Sequence, residues 1–360
     1  MSGNRIKILQ ENLVDYKIDA LLVSSAINIQ YLTGYSNFSK DEREAYLFVT
    51  GTSATLFTDS RYIEAVEKII PKNVNATTKR PISDEINKIV KEENVEKIGF
   101  ENNFTYDEHS RFKKKISAKL VLVDSLIEEL RSVKDDSEIE SIKKAAALTD
   151  KTFTFIKNQI KIGSTEKQIA WEMEKYIREN GGILAFDTIV AFGANSSVPH
   201  HLTSDKRLKT EDEFVLLDFG SRVDGYCSDM TRTILTESAS DRARKIYEAV
   251  LEAQESSAQL INQLIKASKP VDGAVIARRA NEVLKQHGFA DVPHGLGHGI
   301  GLEVHELPHL HPKLTDEILV EENYFSIEPG IYIPGFGGVR IEDDYLMTKN
   351  GLEQVTKSPK

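Results

Sequence analysis

The stretch from His294 to Leu302 places glycine at every second position around two histidines, and His305 follows soon after it. Glycine lets the backbone turn sharply or approach another chain segment closely. No apolar repeat of period 2 or 3.6 runs through the glycines, so the stretch predicts neither an ordinary strand nor an ordinary helix. Imidazole is the commonest metal ligand in proteins and a proton carrier near neutral pH. We therefore interpret this stretch as a site, and the rest of the chain must fold so as to bring partners to it.

Four carboxylates, two before this stretch and two after it, are the candidate partners. Asp218 lies near the end of a very apolar strand predicted over 214–219, and Asp229 begins the predicted return strand, so that a hairpin could bring both together. Glu328 is predicted in the middle of a strand, and Glu342 on a neighbouring antiparallel strand, so both could face one pocket. A carboxylate inside an apolar strand must be paired or bound to a metal.

Charge balance indicates what could hold these acids together. Four carboxylates around His298 would repel each other strongly unless cations neutralised them, and two divalent ions supply the matching charge. Oxygen ligands with a single imidazole favour manganese or cobalt over a thiolate-type zinc site. Taken singly, each acid is also explained as a surface or capping residue and His298 as a core histidine. Their joint occurrence favours a metal centre.

Length, charge and cysteine content bound the class of protein. A chain of 360 residues is long enough for two domains. The formal charge of −10 argues against a nucleic-acid or anionic-membrane binder. No signal-peptide pattern or membrane-spanning apolar run is present. The chain has a single cysteine, Cys227, which is consistent with a reducing cytoplasm. We expect Cys227 to be buried like a small apolar residue.

The predicted elements divide the chain into a scaffold and a working half. Helices and strands alternate over about the first 125 residues, which is typical of an α/β domain. A charged run over 131–140 predicts the boundary and the solvated start of a long helix. Beyond it, two helices followed by strands occur twice, a weak internal duplication, and Thr165 with Gln168 forms a capping-box pattern. We predict domains over 1–130 and 131–360.

Eight of the nine histidines lie between positions 200 and 311, which marks the second domain as the working one. We interpret His287, His309 and His311 as surface or loop residues without a role. Arg340 could orient the glutamates, bind a substrate carboxylate, or form a supporting salt bridge.

Several motifs together resemble one known family, that of aminopeptidase P and prolidase. The resemblance covers nearly the whole chain. The most specific motifs are His294–Glu306 with Pro308, Leu217-Asp218-Phe219-Gly220, Ser228-Asp229-Met230-Thr231-Arg232-Thr233, Glu328-Pro329-Gly330 and Arg340-Ile341-Glu342-Asp343. The resemblance implies an α/β (α+β) chain with a creatinase/prolidase-like N-terminal domain, followed by a pita-bread catalytic domain with pseudo-twofold duplication.

Site roles follow from the resemblance, position by position. It implies metal ligation by Asp218, Asp229, His298, Glu328 and Glu342. Glu328 would also carry the proton of the reacting water. His200, His294 and His305 would lie near the substrate, and alternation would point His201 elsewhere. The implied cofactor is a pair of divalent ions, manganese first, with cobalt, zinc or iron as alternatives.

The implied activity is hydrolysis of Xaa-Pro bonds by a hydroxide shared between two metals. The bond nitrogen of proline carries no N–H, so the substrate must be recognised through its ring, with Phe186 as a candidate wall. Aminopeptidase and dipeptidase activities both remain open. Alternatives are a methionine aminopeptidase, a metal-free creatinase-like hydrolase and a non-catalytic pita-bread binding module. We expect small peptide substrates with proline second, a cytoplasmic homodimer, and no nucleic-acid or membrane partner.

Overall fold

The fold is described from a computed structural model, which describes residues 2–315 and 317–360. The chain divides into two compact units, Met1–Arg131 and Ser132–Lys360. Among the described residues, no helix combines the length and the apolar character needed to cross a membrane.

The first unit is built on one mixed six-stranded sheet with the order β4-β3-β2-β1-β5-β6. Its strands are β1 (Ala20–Val23), β2 (Tyr46–Thr50), β3 (Ala54–Phe57), β4 (Asn75–Thr77), β5 (Lys97–Glu101) and β6 (Lys119–Val123). Its helices are α1 (Ser2–Asn12), α2 (Ala26–Thr33), α3 (Ile63–Glu67), α4 (Ile82–Glu92), α5 (Tyr106–Lys115) and α6 (Leu126–Ser132). The predicted hairpin β2–β3 is antiparallel, whereas β5 pairs in parallel with both β1 and β6. The α/β prediction for this region is confirmed.

The second unit begins with two helices and a first group of strands. The helices are α7 (Asp136–Lys157) and α8 (Glu166–Glu179), and a 3-10 helix covers Gly193–Ser197. The strands are β7 (Ile183–Leu184), β8 (Ile189–Phe192), β9 (Phe214–Phe219), β10 (Ser221–Val223), β11 (Tyr226–Cys227) and β12 (Met230–Leu235). The predicted capping box is present, because the Thr165 hydroxyl accepts from Gln168 N and the Gln168 side chain accepts from Thr165 N.

The second half of this unit repeats the arrangement of two helices and strands. The helices are α9 (Asp241–Lys266) and α10 (Gly273–Gln286). The strands are β13 (Val271–Asp272), β14 (Gly297–Gly299), β15 (Glu306–Leu310), β16 (Ile318–Leu319), β17 (Tyr324–Ile327), β18 (Gly330–Ile333), β19 (Gly337–Arg340), β20 (Asp343–Thr348) and β21 (Gly351–Gln354). Five of them form the sheet β15-β14-β17-β20-β21.

Each half packs its helix pair on its own strands. Apolar side chains of α7 and α8, such as Ile156 and Met173, bury against Leu217 of β9 in one core. Those of α9 and α10, such as Val250, bury against Phe325 of β17 in another core. The repeated layering leaves the strand ends between the two cores to form the site.

Both predicted long strands near the C-terminal end are broken at an acidic residue. Glu328 lies between β17 and β18, not in the middle of a strand, and Glu342 lies between β19 and β20. On one side of the break β17 pairs with β20, and on the other side β18 pairs with β19. Pro329 cannot donate a ladder hydrogen bond, which explains why the strand ends there.

The prediction that the glycine stretch forms no strand was wrong. Gly297–Gly299 is a short strand that pairs with β15 and β17. A Cβ atom at Gly297 would collide with the Ser326 carbonyl oxygen, and one at Gly299 with that of Leu307. Glycine is therefore required because neighbouring strands approach too closely for a side chain.

The charged run over 131–140 is only in part the solvated helix start that we predicted, because Asp136 and Glu140 are exposed but three other charged residues are not. Arg131, Lys134 and Glu138 are all buried. Lys134 forms a 2.8 Å ion pair with Glu306, and Glu138 completes a capping box with Asp135 at the start of α7.

Candidate metal centre

The five residues predicted as metal ligands line one cavity of about 620 Å³ in the second unit. They arrive from different strands: Asp218 from β9, Asp229 from the residue before β12, His298 from β14, and Glu328 and Glu342 from the two strand breaks. Residues far apart in sequence therefore meet because two sheets end at the same cavity.

Strand pairing places the first two acids and Glu342 close together. In the β9–β12 ladder, Asp218 lies opposite Thr231. The backbone N–H of Glu342 donates to the Thr231 carbonyl over 3.1 Å, and the Thr231 hydroxyl donates to Glu342 Oε2 over 2.6 Å. The backbone N–H of Asp229 donates to Asp344 Oδ2 over 3.0 Å. These hydrogen bonds fix the positions of Asp229 and Glu342 at the cavity wall.

His298 closes the group from the opposite sheet. Its Nε2 lies 3.2 Å from Glu328 Oε1 and 3.9 Å from Asp229 Oδ2. Ligand atoms of Asp229, His298 and Glu342 all lie within 4.8 Å of one another, which is close enough to share one ion.

The electrostatics of the cavity are those of acids crowded away from water. Burial, and then the nearby carboxylates of Glu342 and Asp218, raise the pKa of Asp229 well above its usual range. Burial, and then Glu328 and Asp218, raise the pKa of Glu342 in the same way. Burial also raises the pKa of Asp218, although Arg340 opposes the shift. In this protein the acids are therefore costly to ionise without a cation beside them.

Two buried oxygens show that the residues suit a divalent cation. Asp229 Oδ1 and Glu342 Oε1 accept no hydrogen bond from any described residue. A buried carboxylate oxygen without a donor costs free energy, and a metal ion replaces the missing donor. Both oxygens belong to residues that line the cavity, so the residues present fit a divalent cation.

Arg340 links the acids to the histidine side of the cavity. Its guanidinium donates to Asp218 Oδ2 over 2.5 Å, to the Thr231 hydroxyl over 2.9 Å and to the Tyr332 hydroxyl over 2.8 Å. His294 Nε2 lies 3.0 Å from the same Tyr332 hydroxyl. Of the three roles considered for Arg340, its contacts match two: it forms a salt bridge with Asp218, and through the Thr231 hydroxyl it orients Glu342. Tyr332 was missed by the sequence analysis, and its position opposite Gly338 across the β18–β19 hairpin was the available signal.

Of the eight histidines between positions 200 and 311, six line the cavity and two pair with glutamates elsewhere. His200, His294 and His305 line the cavity together with His298, and the rings of His298 and His305 lie 4.3 Å apart. His287 pairs with Glu252 at the surface, and His201 pairs with the buried Glu166. His309 and His311 also line the cavity, contrary to our interpretation. His309 lies opposite His298 in the β14–β15 ladder, a pairing that was hidden because β14 was not recognised as a strand.

Comparison with known proteins identifies the family. Residues 140–349 match the family model of Metallopeptidase family M24. Residues 5–133 match the Creatinase/Prolidase N-terminal domain. The chain is a member of metallopeptidase family M24. This membership confirms the predicted pita-bread architecture, and the full-length likeness to relatives named as peptidases excludes the non-catalytic alternative.

Relatives of this M24 metallopeptidase match it over nearly their whole length. The "Xaa-Pro dipeptidase" of Pyrococcus furiosus is 36% identical over 98% of this chain and 96% of its own. The solved structure of the "Xaa-Pro dipeptidase" from Bacillus anthracis is 36% identical, with a TM-score of 0.91, over 100% of this chain and 99% of that one. The "X-Pro aminopeptidase" from Thermotoga maritima is 32% identical, with a TM-score of 0.84, over 97% and 98% of the two chains.

Proposed function

We propose that this metallopeptidase hydrolyses Xaa-Pro dipeptides by using two divalent metal ions, with manganese as the working metal. The observation that carries the proposal is the convergence of four carboxylates and His298 on one cavity. The likeness to two proteins named Xaa-Pro dipeptidase, each 36% identical, supports the dipeptide as substrate. The chemistry would lie in the domain over 131–360, with the domain over 1–130 as scaffold.

The ligands proposed for the metals are Asp218, Asp229, His298, Glu328 and Glu342. Two ions are favoured over one because four carboxylates need about four positive charges for balance, and Arg340 supplies only one. A set of oxygen donors with a single imidazole favours manganese.

When bound, divalent ions lower the pKa of water and polarise the scissile carbonyl. Glu328 is suited to the proton transfer that hydrolysis also needs. Burial, the largest single effect, raises the pKa of Glu328, but the hydrogen bond and charge of His298, together with His294 and Arg340, outweigh it, so the pKa is lowered. An ionised Glu328 can accept a proton from the attacking water and deliver it to the departing proline nitrogen.

His294 and His305 are suited to contact the substrate as neutral imidazoles. Burial lowers the pKa of both rings. His294 Nδ1 lies 2.7 Å from the Gly295 carbonyl oxygen, which can only accept, so we assign the proton to Nδ1. Nε2 then accepts from the Tyr332 hydroxyl, and this contact fixes the plane of the ring beside the cavity.

The apolar part of the cavity wall suits a proline ring. Phe186, Ile189, Val304 and Leu314 line it, together with Pro199. An Xaa-Pro bond offers no N–H at its nitrogen, so recognition must come from the shape and apolar surface of the ring.

A substrate panel tests the proposal. We expect manganese-loaded protein to cleave Gly-Pro, Ala-Pro and Met-Pro, and to leave Met-Ala and Met-Pro-Gly intact. Cleavage of Met-Pro-Gly without cleavage of Met-Pro would instead assign an aminopeptidase, in line with the likeness to the Thermotoga maritima protein. Cleavage of neither, with manganese, cobalt or zinc present, would overturn the proposal.

Metal number, assembly and location complete the proposal. Metal analysis after dialysis against manganese is expected to give two ions per chain, and light scattering is expected to give a homodimer. The homodimer rests on the family resemblance alone. A cytoplasmic location is supported by the single cysteine, which is buried and can form no disulfide within the chain.

A further inference from the structure

A buried carboxylate outside the metal cavity, that of Glu166, organises the segment that carries His200. Glu166 lies at the start of α8 and is completely buried. Its Oε1 accepts from Phe192 N over 2.9 Å and from Asn195 Nδ2 over 2.8 Å. Its Oε2 accepts from the backbone N–H and hydroxyl of Ser204, over 3.0 and 2.5 Å, and from His201 Nε2 over 2.9 Å.

These donors tie both ends of one segment to a single charge. Phe192 and Ser204 bracket the segment, and Asn195 and His201 lie within it. Burial raises the pKa of Glu166, but the hydrogen bonds from Ser204, His201, Phe192 and Asn195 together lower it. An ionised acceptor with several donors is a strong and directional anchor.

His200 depends on this anchor because its own ring is not held. Its side chain makes no hydrogen bond to any described residue, yet it lines the cavity that contains the proposed metal ligands. The neighbouring residues are held on both sides. The Pro199 carbonyl accepts from Arg340 over 3.4 Å, and the His201 ring donates to Glu166. The direction of the His200 ring is therefore set by the backbone between these two contacts.

We propose that Glu166, acting through His201, is a positioning residue that holds His200 against the substrate cavity. The proposal rests on the proposed peptidase function for its kinetic test. It assigns a role to His201, whose side chain contacts Glu166 and is not part of the cavity wall, and to a carboxylate that is buried outside the proposed metal site. A purely structural Glu166 would support folding but would not be coupled to His200.

The test combines a double-mutant cycle with two matched controls. His201→Phe removes the donor to Glu166, whereas His201→Gln keeps an N–H that can replace Nε2. His287→Phe breaks a comparable pair, with Glu252 at 2.7 Å, on the surface between α9 and α10. Each variant is made in the wild-type chain, and His201→Phe is also made with His200→Ala.

For an Xaa-Pro dipeptide, His201→Phe is expected to lower kcat/KM about tenfold, since a small misplacement of a substrate-facing group is costly. In the His200→Ala background the same change should lower kcat/KM by less than about twofold, because coupled residues are not additive. His201→Gln and His287→Phe should remain within about twofold of wild type. An equal loss in both backgrounds would overturn the proposal, as would failure of His201→Gln to restore activity.

A measurement that needs no substrate cleavage tests the positioning of His200 independently of the proposed peptidase activity. In zinc-loaded full-length protein with labelled histidines, the ring resonances of His200 are assigned by their loss in His200→Ala. We expect them to shift or broaden in His201→Phe and to stay in place in His201→Gln. Glu166→Gln, which replaces one acceptor oxygen by an amide NH2 that can only donate, should reproduce the shift. Unchanged His200 resonances in His201→Phe would overturn the inference even if the enzyme is active, and a shift would support it even if no Xaa-Pro peptide is cleaved.

Discussion

The Thr231 hydroxyl donates a hydrogen bond to Glu342 Oε2 over 2.6 Å. The same hydroxyl accepts from Arg340 Nε over 2.9 Å, so its proton is directed at the glutamate. Glu342 Oε1 is left without a donor among the described residues. One hydroxyl thus decides which oxygen of Glu342 faces a cation.

Replacing Thr231 with valine should weaken metal binding. The change removes the hydroxyl but keeps the branched shape, so Glu342 loses its orientation. Loss of such a supporting contact typically costs roughly 10–100-fold in metal affinity. Competition with a chelator measures the affinity, and Thr231→Ser, which keeps the hydroxyl, serves as control. Equal affinities for the valine and serine variants would show that the hydroxyl does not orient the site.

Replacing Asp229 with asparagine should separate stability from activity. Asp229 is buried among like charges, so a neutral isostere should stabilise the metal-free protein by about 1 kcal/mol, or roughly 2–4 °C in unfolding temperature. Activity with manganese should be lost. Asp291→Asn, an exposed acid paired with Lys285, should change neither. Retention of most of the hydrolysis in Asp229→Asn would remove Asp229 from the proposed ligand set.

The sequence allowed us to predict the residues that meet at the cavity more accurately than the bounds of the strands that carry them. The acids could be identified because a carboxylate among apolar residues needs a cation or a hydrogen-bond donor as partner. This argument does not depend on where the strand ends. The break at Glu328 had one local signal, Pro329, which the sequence analysis did not use. The break at Glu342 had none, because the chain changes its pairing partner there without a change in apolar character, and that exchange depends on tertiary packing.

Glycine and charge misled the sequence analysis for a related reason. Gly297 and Gly299 belong to a strand, but their periodicity is absent because neighbouring carbonyls leave no room for side chains. In the sequence Lys134 looks like an exposed charge, but it is buried and paired with Glu306, which lies far along the chain. Burial of a charge is predictable only when the partner is known.

The stability of the metal-free protein should fall as the pH rises from 7 to 9. Burial raises the pKa of Asp344 to about 8 and that of Asp229 well above its usual range. In the unfolded chain such acids titrate near about 4. The folded state therefore binds more protons between these values, and the stability present at low pH is lost as the pH rises through the folded pKa.

Thermal unfolding in chelator and in manganese checks this pH dependence. The unfolding temperature should fall with pH in chelator, and the stabilisation by manganese should be larger at pH 9 than at pH 7, because metal binding favours ionised ligands. The lowered pKa of His294 acts with the opposite sign but only below about pH 6.5. Asp344→Asn, which can still accept from Asp229 N and the Tyr324 hydroxyl, should reduce the slope. A metal-free protein that grows more stable toward pH 9 would contradict these shifts.

Replacing Lys134 with methionine should destabilise the second unit strongly. Lys134 Nζ and Glu306 Oε1 are 2.8 Å apart, and their side chains are 1% and 3% exposed. Removing the cation leaves the buried charge of Glu306 without its neutralising lysine, which costs about 3–5 kcal/mol. Removing both charges in Lys134→Met with Glu306→Gln should recover at least half of that loss, because no charge remains to be desolvated. Lys143→Met, which breaks an exposed pair with Glu353, should stay within about 0.5 kcal/mol of wild type in urea unfolding. If the double variant were as unstable as Lys134→Met alone, the packing of the lysine stem, and not its charge, would be the stabilising interaction. That packing would then hold Glu306 and the neighbouring His305 in place.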